Sequence, residues 1–190
     1  MTDTNVRAAV AALAAERILV LDGPLGTEIQ KLGLSDEQFR GERFADHAHD
    51  LSGNNELVAL TQPDALRTIH LRYCEAGADI IETNTFSATR IAQADYGMTE
   101  VVRDLNIAAA RIAREAVEEA HGTDGRRRFV AGAVGPTNVT LSISPRVEDP
   151  GYRAVTFNEL ADAYQQQIEA LVEGGVVQLE RHCSTEDLQL

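Results

Sequence analysis

The chain has 190 residues, of which 44% are hydrophobic, so it is long enough to bury the core of one ordinary domain. Its 30 acidic residues outnumber 17 basic residues, and the resulting net charge of −13 repels nucleic-acid phosphates and anionic lipid headgroups. These values argue against an intrinsically disordered chain and against nucleic acid or a membrane surface as a partner.

The N-terminal segment predicts a surface helix over residues 1–16. Its apolar run AAVAALAA, residues 8–15, is far shorter than the roughly 20 residues that span a bilayer. The start MTDT lacks the basic residues of a secretory signal, and two cysteines are too few for a disulfide framework. We therefore expect a cytoplasmic protein.

Four short apolar runs predict β-strands. They are rich in Val, Ile and Leu without clean alternation, as is typical of strands covered on both faces. The runs are ILVLD (18–22), DIIET (79–83), FVAGAV (129–134) and the weaker VVQLE (176–180).

Three helical patterns lie between these runs, over residues 61–77, 99–122 and 156–174. Each starts at a threonine and stops at a glycine, and the third opens with the capping box TFNE. The alternation predicts a parallel sheet, either doubly wound or part of a TIM (β/α)8 barrel. Polar or glycine-rich turns at three strand ends favour the barrel, since barrel enzymes keep their chemistry there.

Polar residues at these strand ends are the candidate ligand-binding groups. Glu82, Thr83 and Asn84 end the second strand, and Asp22 ends the first strand beside Gly23. A carboxylate in this position suits a substrate ammonium group, although Asp before Gly is also common in turns. Two such carboxylates could equally serve as general acid and base, or as magnesium ligands.

Other reactive side chains give weaker signals. The only lysine, Lys31, lies beyond the strand end where a Schiff-base enzyme needs it. The histidines of HAHD (47–50) and the pair His182 and Cys183 are weak indications of a metal site. The run RRR (126–128) predicts a solvated turn, and Cys74 within a helix predicts a small buried hydrophobe.

Residues 31–62 form a long segment between the first predicted strand and the helical pattern that follows. Segments of this length without regular structure are usually functional lids or disordered regions. Phe39 and Phe44 favour a packed lid.

Five motifs occur in order and without evident gaps: RILVLDGPLGTEIQ, FRGERFADH, DLSGNNELVALTQP, EAGADIIETNTFSAT and GAVGPTNVTLSISP. Together they resemble the homocysteine-binding module of cobalamin-dependent methionine synthase, within the homocysteine S-methyltransferase family. The resemblance covers about residues 17–175 and is specific because all five motifs occur together.

The resemblance implies a methyltransferase barrel in which homocysteine takes a methyl group and becomes methionine. It implies zinc, which binds the substrate thiolate, and cobalamin as the methyl carrier. Homocysteine and other methionine synthase modules are the implied partners. The residues that it assigns to substrate binding are Asp22, Gly23, Glu82, Thr83, Asn84, Asn138 and, about two positions early, Glu180.

The sequence departs from the family in its length. Four predicted strands account for all 190 residues, whereas a barrel has eight strands and typically about 250 residues. The family's three zinc-binding cysteines lie in the later half, and residues 176–190 form a divergent polar tail. We therefore expect a truncated chain: an N-terminal helix, the first four βα units of a TIM barrel over 17–175, and no metal ligands or catalytic groups of its own.

This expectation leaves three hypotheses open. The first is a homocysteine-binding part of methionine synthase that is inactive alone. The second is a non-catalytic half-barrel that forms a homo-oligomer or pairs with another fragment, because its sheet edges and inner face need cover. The third is a barrel enzyme that uses Asp22 and Glu82 without zinc.

Overall fold

The structure is a computed structural model, which describes residues 3–176 and 178–181. In this part of the chain the helices are α1 (Asp3–Glu16), α2 (Leu25–Lys31), α3 (Asp36–Arg40), α4 (Val58–Thr61), α5 (Pro63–Ala76), α6 (Arg90–Gln93), α7 (Val102–Asp124) and α8 (Phe157–Glu173). The strands are β1 (Ile80–Glu82), β2 (Phe129–Val134) and β3 (Gln178–Arg181). Short 3-10 helices cover Asn55–Leu57, Ala94–Tyr96 and Thr99–Val101.

The three strands form a parallel sheet in the order β1, β2, β3. Ile80 pairs with Phe129 and Ala131 pairs with Gln178. Parallel neighbours need crossover connections, which contain α7 and α8. The predicted α/β architecture with a parallel sheet is confirmed, and the run FVAGAV coincides with β2.

The first predicted strand, ILVLD, is an extended edge segment rather than a regular strand. It makes one parallel bridge, between Leu21 and Ile80, and the Asp22 N–H donates to the Ile80 carbonyl at 3.0 Å. Ile18 is 88% exposed and Val20 is 52% exposed, so the prediction of cover on both faces is wrong here. The physical reason is that, among the described residues, this segment has a strand neighbour on one side only.

Helix ends follow local sequence signals in most cases. Gly77 ends α5 with a left-handed φ of 107°, and Thr156 and Glu159 form the predicted capping box of α8. The second predicted helix, residues 99–122, differs from the observed α7, because α7 continues past the predicted stop at Gly122 and ends before Gly125. Gly125 has a φ of 70°, the left-handed conformation that terminates a helix.

One group of buried apolar side chains lies between the sheet and α5, α7 and α8. It includes Ile81 of β1, Ala113 of α7 and Leu171 of α8. Cys74 is fully buried in this group, as predicted, and burial raises the pKa of its thiol. The thiol is therefore a packing group in this part of the chain.

The predicted lid, residues 31–62, is ordered and contains α3, a 3-10 helix and α4. Phe39 is buried against a second apolar group that includes Leu57 and Ile69, and Phe44 packs against the same group. The prediction of a packed lid is confirmed. The lid also brings the 3-10 helix Asn55–Leu57 toward the end of β1, where the Asn84 side chain donates to the Asn55 carbonyl at 2.7 Å.

The arginine run 126–128 is exposed at Arg126 and Arg127, as predicted, but not at Arg128. Arg128 is only 6% exposed, and it donates to Asp124 Oδ2 at 2.6 Å and to the Cys74 carbonyl at 2.9 Å. Arg126 donates to Asp79 Oδ1 at 3.2 Å. The prediction was wrong for Arg128 because its acceptor, the Cys74 carbonyl, lies 54 residues away in sequence.

Asp79 joins the edge segment to the sheet. Arg17 donates to both of its carboxylate oxygens at 2.6 Å, and the Val20 N–H donates to Oδ2 at 3.0 Å. The hydrogen-bonded Arg17 guanidinium lowers the pKa of Asp79 to about 2. These contacts hold the edge segment, and with it Asp22, beside β1.

The N-terminal helix α1 (Asp3–Glu16) lies on the surface, with Val6 buried. Over residues 3–176 and 178–181, no helix is both long enough and apolar enough to cross a membrane. The cytoplasmic location stays a prediction.

Candidate functional site

A cavity of about 700 Å³ lies at the carboxyl ends of the edge segment, β1 and β2. Parallel strands bring their ends to one side of a sheet, so residues that are far apart in sequence meet there. The opposite wall of the cavity is formed by the lid and by the 3-10 helix Ala94–Tyr96.

Six of the seven predicted substrate-binding residues line this cavity: Asp22, Gly23, Glu82, Thr83, Asn84 and Asn138. The seventh, Glu180, lies in β3, where the strand register pairs it with Ala133. Its side chain lies outside the described part of the chain, so its predicted role stays a prediction. The predicted tail after Arg181 also lies outside the described residues.

Asp22 has an unusual hydrogen-bonding state for a carboxyl group in a cavity wall. Its Oδ2 accepts the Glu82 N–H at 3.1 Å, whereas its Oδ1 is buried without a hydrogen-bond partner among the described residues. Burial raises the pKa of Asp22 to about 7, and the nearby Glu82 carboxylate acts in the same direction. Asp22 therefore carries a proton on a substantial fraction of molecules at neutral pH.

Gly23 packs closely against the Tyr73 ring, and its backbone angle does not call for glycine. A Cβ atom at this position would lie 2.9 Å from Cε1 of Tyr73. The Tyr73 hydroxyl donates to the Pro24 carbonyl at 3.4 Å, so the ring lies directly under the turn that follows Asp22. A larger residue at position 23 would move either this turn or the ring.

Thr83 and Thr85 connect the ends of two strands through their hydroxyl groups. The two Oγ1 atoms are 2.6 Å apart, and Thr85 Oγ1 donates to the Ala133 carbonyl at 2.7 Å. The Ala133 N–H donates to Thr83 Oγ1 at 3.0 Å. Both side chains are buried and engaged with protein atoms, so the structure gives Thr83 a positioning role in the cavity wall.

Two amides attach the cavity wall to neighbouring segments. Asn84 donates to the carbonyl of Asn55, and this contact connects the end of β1 to the lid. Asn138 Nδ2 donates to Asp95 Oδ2 at 2.7 Å, which connects the loop after β2 to the 3-10 helix Ala94–Tyr96. Both contacts border the cavity and hold its walls together.

Several cavity residues were not predicted from the sequence, notably Asn55, Glu56, Asp95 and Tyr96. Glu56 Oε1 accepts the Ser87 N–H at 3.0 Å, and burial raises the pKa of Glu56. Asn55 and Glu56 belong to the motif DLSGNNELVALTQP and to the predicted lid, which together were a usable signal. No comparable signal marked Asp95 and Tyr96.

The charge in this cavity has one sign. Four carboxyl groups line it, from Asp22, Glu56, Glu82 and Asp95, and no Arg, Lys or His is among the described lining residues. Such a wall favours a ligand with a cationic group, such as an α-ammonium group, and disfavours an anionic one.

The described residues do not form a zinc site. They contain no cluster of three or more His, Cys, Asp or Glu side chains that could hold a metal ion. Cys74 is buried away from the cavity, and His47 is engaged with the Tyr96 carbonyl through Nε2 at 2.8 Å. The oxygen donors of the cavity also differ from the thiolate donors implied by the resemblance. His182 and Cys183 lie outside the described residues.

Comparison with known proteins supports the same family as the sequence motifs. A sequence profile described as homocysteine S-methyltransferase matches residues 19–179, which is most of the chain. The match includes the first four residues of the predicted tail and stops before Glu180.

Solved structures similar to this chain include three forms of the homocysteine methyltransferase MmuM from Escherichia coli. The metallated form has a TM-score of 0.66 and 25% sequence identity, covering 90% of this chain and 55% of MmuM. The oxidized form has a TM-score of 0.62 and 24% identity, covering 85% and 51%. The apo form has a TM-score of 0.55 and 23% identity, covering 85% and 48%.

This chain thus spans about half the length of the MmuM chains that it matches. The profile covers the edge segment, β1, β2 and the loops that carry all six predicted cavity residues. The chain belongs to the homocysteine S-methyltransferase family.

Proposed function

We propose that this chain binds homocysteine in the cavity at the strand ends and contributes to the methyl transfer that converts homocysteine to methionine. The observation that carries the proposal is the collection of Asp22, Glu82, Asn84 and Asn138 around one acidic cavity in a member of this family. Asp22 and Gly23 contact the amino-acid end of the substrate, and Glu82 supplies a second negative charge for its ammonium group.

Methyl transfer also requires an activated sulfur atom. A free alkyl thiol has a pKa of about 8.5, so only a few per cent of it is thiolate at neutral pH. The described cavity has no cationic side chain that would favour the thiolate, and its carboxylates oppose a second negative charge. We therefore propose that the described residues bind and orient the amino-acid end, and that the chain alone is inactive in methyl transfer.

The proposed architecture is the first half of a TIM (β/α)8 barrel from methionine synthase. Its support is the coverage of 55% of the MmuM chain by 90% of this one, together with the exposed apolar edge at Ile18 and Val20. The assignment to methionine synthase, with cobalamin as methyl carrier and zinc at the thiol, rests on the resemblance of the five motifs. These assignments and the partnership with other modules stay predictions.

Isothermal titration calorimetry with L-homocysteine tests the binding proposal directly. We expect Asp22→Asn and Glu82→Gln to weaken binding at least about tenfold at pH 8, because each removes a charged partner of the ammonium group. Glu115→Gln is the matched control, since Glu115 is an exposed carboxylate on α7 outside the cavity. Circular dichroism of every variant checks that it is folded.

Two results would overturn the proposal. One is a folded wild-type chain that binds no homocysteine at millimolar concentration. The other is an Asp22→Asn variant that binds as tightly as the Glu115→Gln control.

The second candidate function is a non-catalytic half-barrel that covers its open edge with another copy of itself or with another fragment. The exposure of Ile18 and Val20 favours it, because large apolar side chains along a sheet edge are a common site of association.

A further inference from the structure

We propose that Asp22 carries a proton in the ligand-free protein and releases it when the α-ammonium group of an amino acid binds in the cavity. The inference rests on the proposed binding of homocysteine and adds a proton to that equilibrium. It assigns Asp22 a specificity role, in which an ammonium ion replaces a proton as the positive partner of the same carboxylate.

The geometry of Asp22 carries the inference. One carboxyl oxygen, Oδ2, accepts the Glu82 N–H at 3.1 Å, and the other, Oδ1, is buried with no partner among the described residues. An ionised carboxylate normally satisfies both oxygens when it is removed from water. Protonation converts an uncompensated charge into a neutral carboxyl group, and an ammonium group in the cavity supplies the positive partner that the ionised carboxylate lacks.

The charged groups around Asp22 are acidic or weakly acidic. Glu82 at the end of β1, Glu56 in the lid and Asp95 face the same cavity. From α5, Tyr73 lies under Gly23 and Cys74 lies near enough for its thiol to interact electrostatically with Asp22.

Two cationic side chains, Arg72 of α5 and Lys31 of α2, pair with a carboxylate outside the cavity lining. Glu28 of α2 pairs with Arg72 at 3.6 Å and with Lys31 at 2.5 Å. No arginine, lysine or histidine lines the described cavity wall, so the protein supplies no positive partner for Asp22 there.

The proton balance follows from this environment. Burial raises the pKa of Asp22 to about 7, and an ammonium group at contact distance lowers the pKa of a carboxyl group by roughly 1–3 units. On binding, the O–H bond of Asp22 breaks and its proton goes to the buffer, while the ammonium group keeps all three of its protons. The substrate thiol takes no part in this exchange.

Calorimetric titration in pairs of buffers with different ionisation enthalpies counts the protons released. The probes are L-homocysteine and L-homoserine, its oxygen analogue, whose hydroxyl group does not ionise in this range. At pH 6 we expect about 0.4–0.9 proton to be released per molecule bound, according to the size of the pKa shift, falling to nearly none at pH 8.5. Over the same range the apparent affinity for L-homoserine should rise about five- to tenfold, because the proton competes with the ligand.

Two variants separate Asp22 from other sources of the proton. Asp22→Asn should abolish proton release and flatten the pH dependence of the remaining affinity. Glu82→Gln should keep the release but move its midpoint to lower pH, because one repelling charge beside Asp22 is gone. The exposed control Glu115→Gln should reproduce the wild-type profile.

A second measurement needs no ligand. Carbon-13 NMR of the aspartate side chains, assigned with Asp22→Asn, should show one carboxyl group that titrates near pH 7 in the free protein. A group that titrates near pH 4 instead would overturn the inference.

The outcomes distinguish this inference from the proposed function. Binding of both probes with no proton released at pH 6 overturns the inference and leaves the proposed function standing. Proton release with homocysteine alone identifies the thiol as the source and also overturns the inference. The absence of binding by either probe at any pH overturns the proposed function and the inference together.

Discussion

His70 is a buried titratable residue without a polar partner. It lies in α5 with 0% exposure, and neither ring nitrogen has a hydrogen-bond partner among the described residues. Burial lowers the pKa of His70 to about 4. The folded chain therefore keeps a neutral imidazole at pH values where an unfolded histidine, with a pKa of about 6.5, takes a proton.

This difference predicts a loss of stability in acid. As the pH falls from about 6.5 toward 4, the unfolded state binds one more proton than the folded state, so the free energy of unfolding decreases. The free energy of unfolding decreases by about 3 kcal/mol in total. This decrease is complete below the folded-state pKa and absent above the unfolded-state pKa. His70→Leu should remove this part of the pH dependence, as measured by urea unfolding between about pH 4.5 and 8.

The matched control is His121→Leu. His121 is exposed near the end of α7, so its replacement removes a histidine without changing the core and tests whether the effect is specific to His70. An unaltered slope in His70→Leu would show that His70 is not held neutral by the fold.

At the scale of elements, one side chain holds the edge segment against the sheet. Asp79 accepts two hydrogen bonds from Arg17, one from the Val20 N–H and one from Arg126. Its pKa is lowered to about 2, so it stabilises the fold above an unfolded pKa of about 3.8. That contribution is lost as the pH falls from there toward 2.

We expect Asp79→Asn to destabilise the chain by about 1–3 kcal/mol at pH 7, because charge-assisted hydrogen bonds become weaker or are lost. Asp104→Asn is the control, since Asp104 forms an ion pair with Arg43 in which both side chains are about half exposed. Exposed pairs of this kind contribute roughly 0–1 kcal/mol. Equal midpoints of urea unfolding for the two variants would contradict the role assigned to Asp79.

Element boundaries were predictable wherever the signal lies within a few residues. The apolar run FVAGAV is β2, and the capping box of Thr156 and Glu159 starts α8. The end of α7 was not predicted, because Gly122 and Gly125 are both plausible stops by sequence and only Gly125 adopts the left-handed conformation.

For the whole molecule, the open edge is the feature with a measurable consequence. Ile18 and Val20 are exposed beside β1, in a segment that has a strand neighbour on one side only within the described residues. We predict that the isolated chain self-associates through this edge, since contact there removes apolar surface from water.

Light scattering coupled to size-exclusion chromatography measures this association. The double variant Ile18→Lys with Val20→Lys should shift the wild-type mass from a multiple of the monomer to the monomer. Val172→Lys is the control, because Val172 is an exposed apolar residue on α8. A wild-type chain that stays monomeric at the same concentrations would contradict self-association.

The candidate site was predictable in its strand-end residues but not in its other wall. Asp22 and Glu82 end apolar runs, and parallel strands bring such ends together whatever the loops do. Asp95 reaches the cavity from a 3-10 helix whose position depends on the lid and on a hydrogen bond with Asn138, 43 residues away. The spacing of residues within one segment does not predict a contact between residues so far apart in sequence.

Residue order alone was enough for the parallel α/β pattern, the helix caps at Thr156 and Gly77, and the family motifs. Each of these depends on interactions within one turn or one strand, or on residue identity itself. The burial of Arg128, the exposure of Val20 and the proton affinity of Asp22 required the folded arrangement. Burial and electrostatic environment are set by groups tens of residues away, which become neighbours only when the sheet and its helices pack.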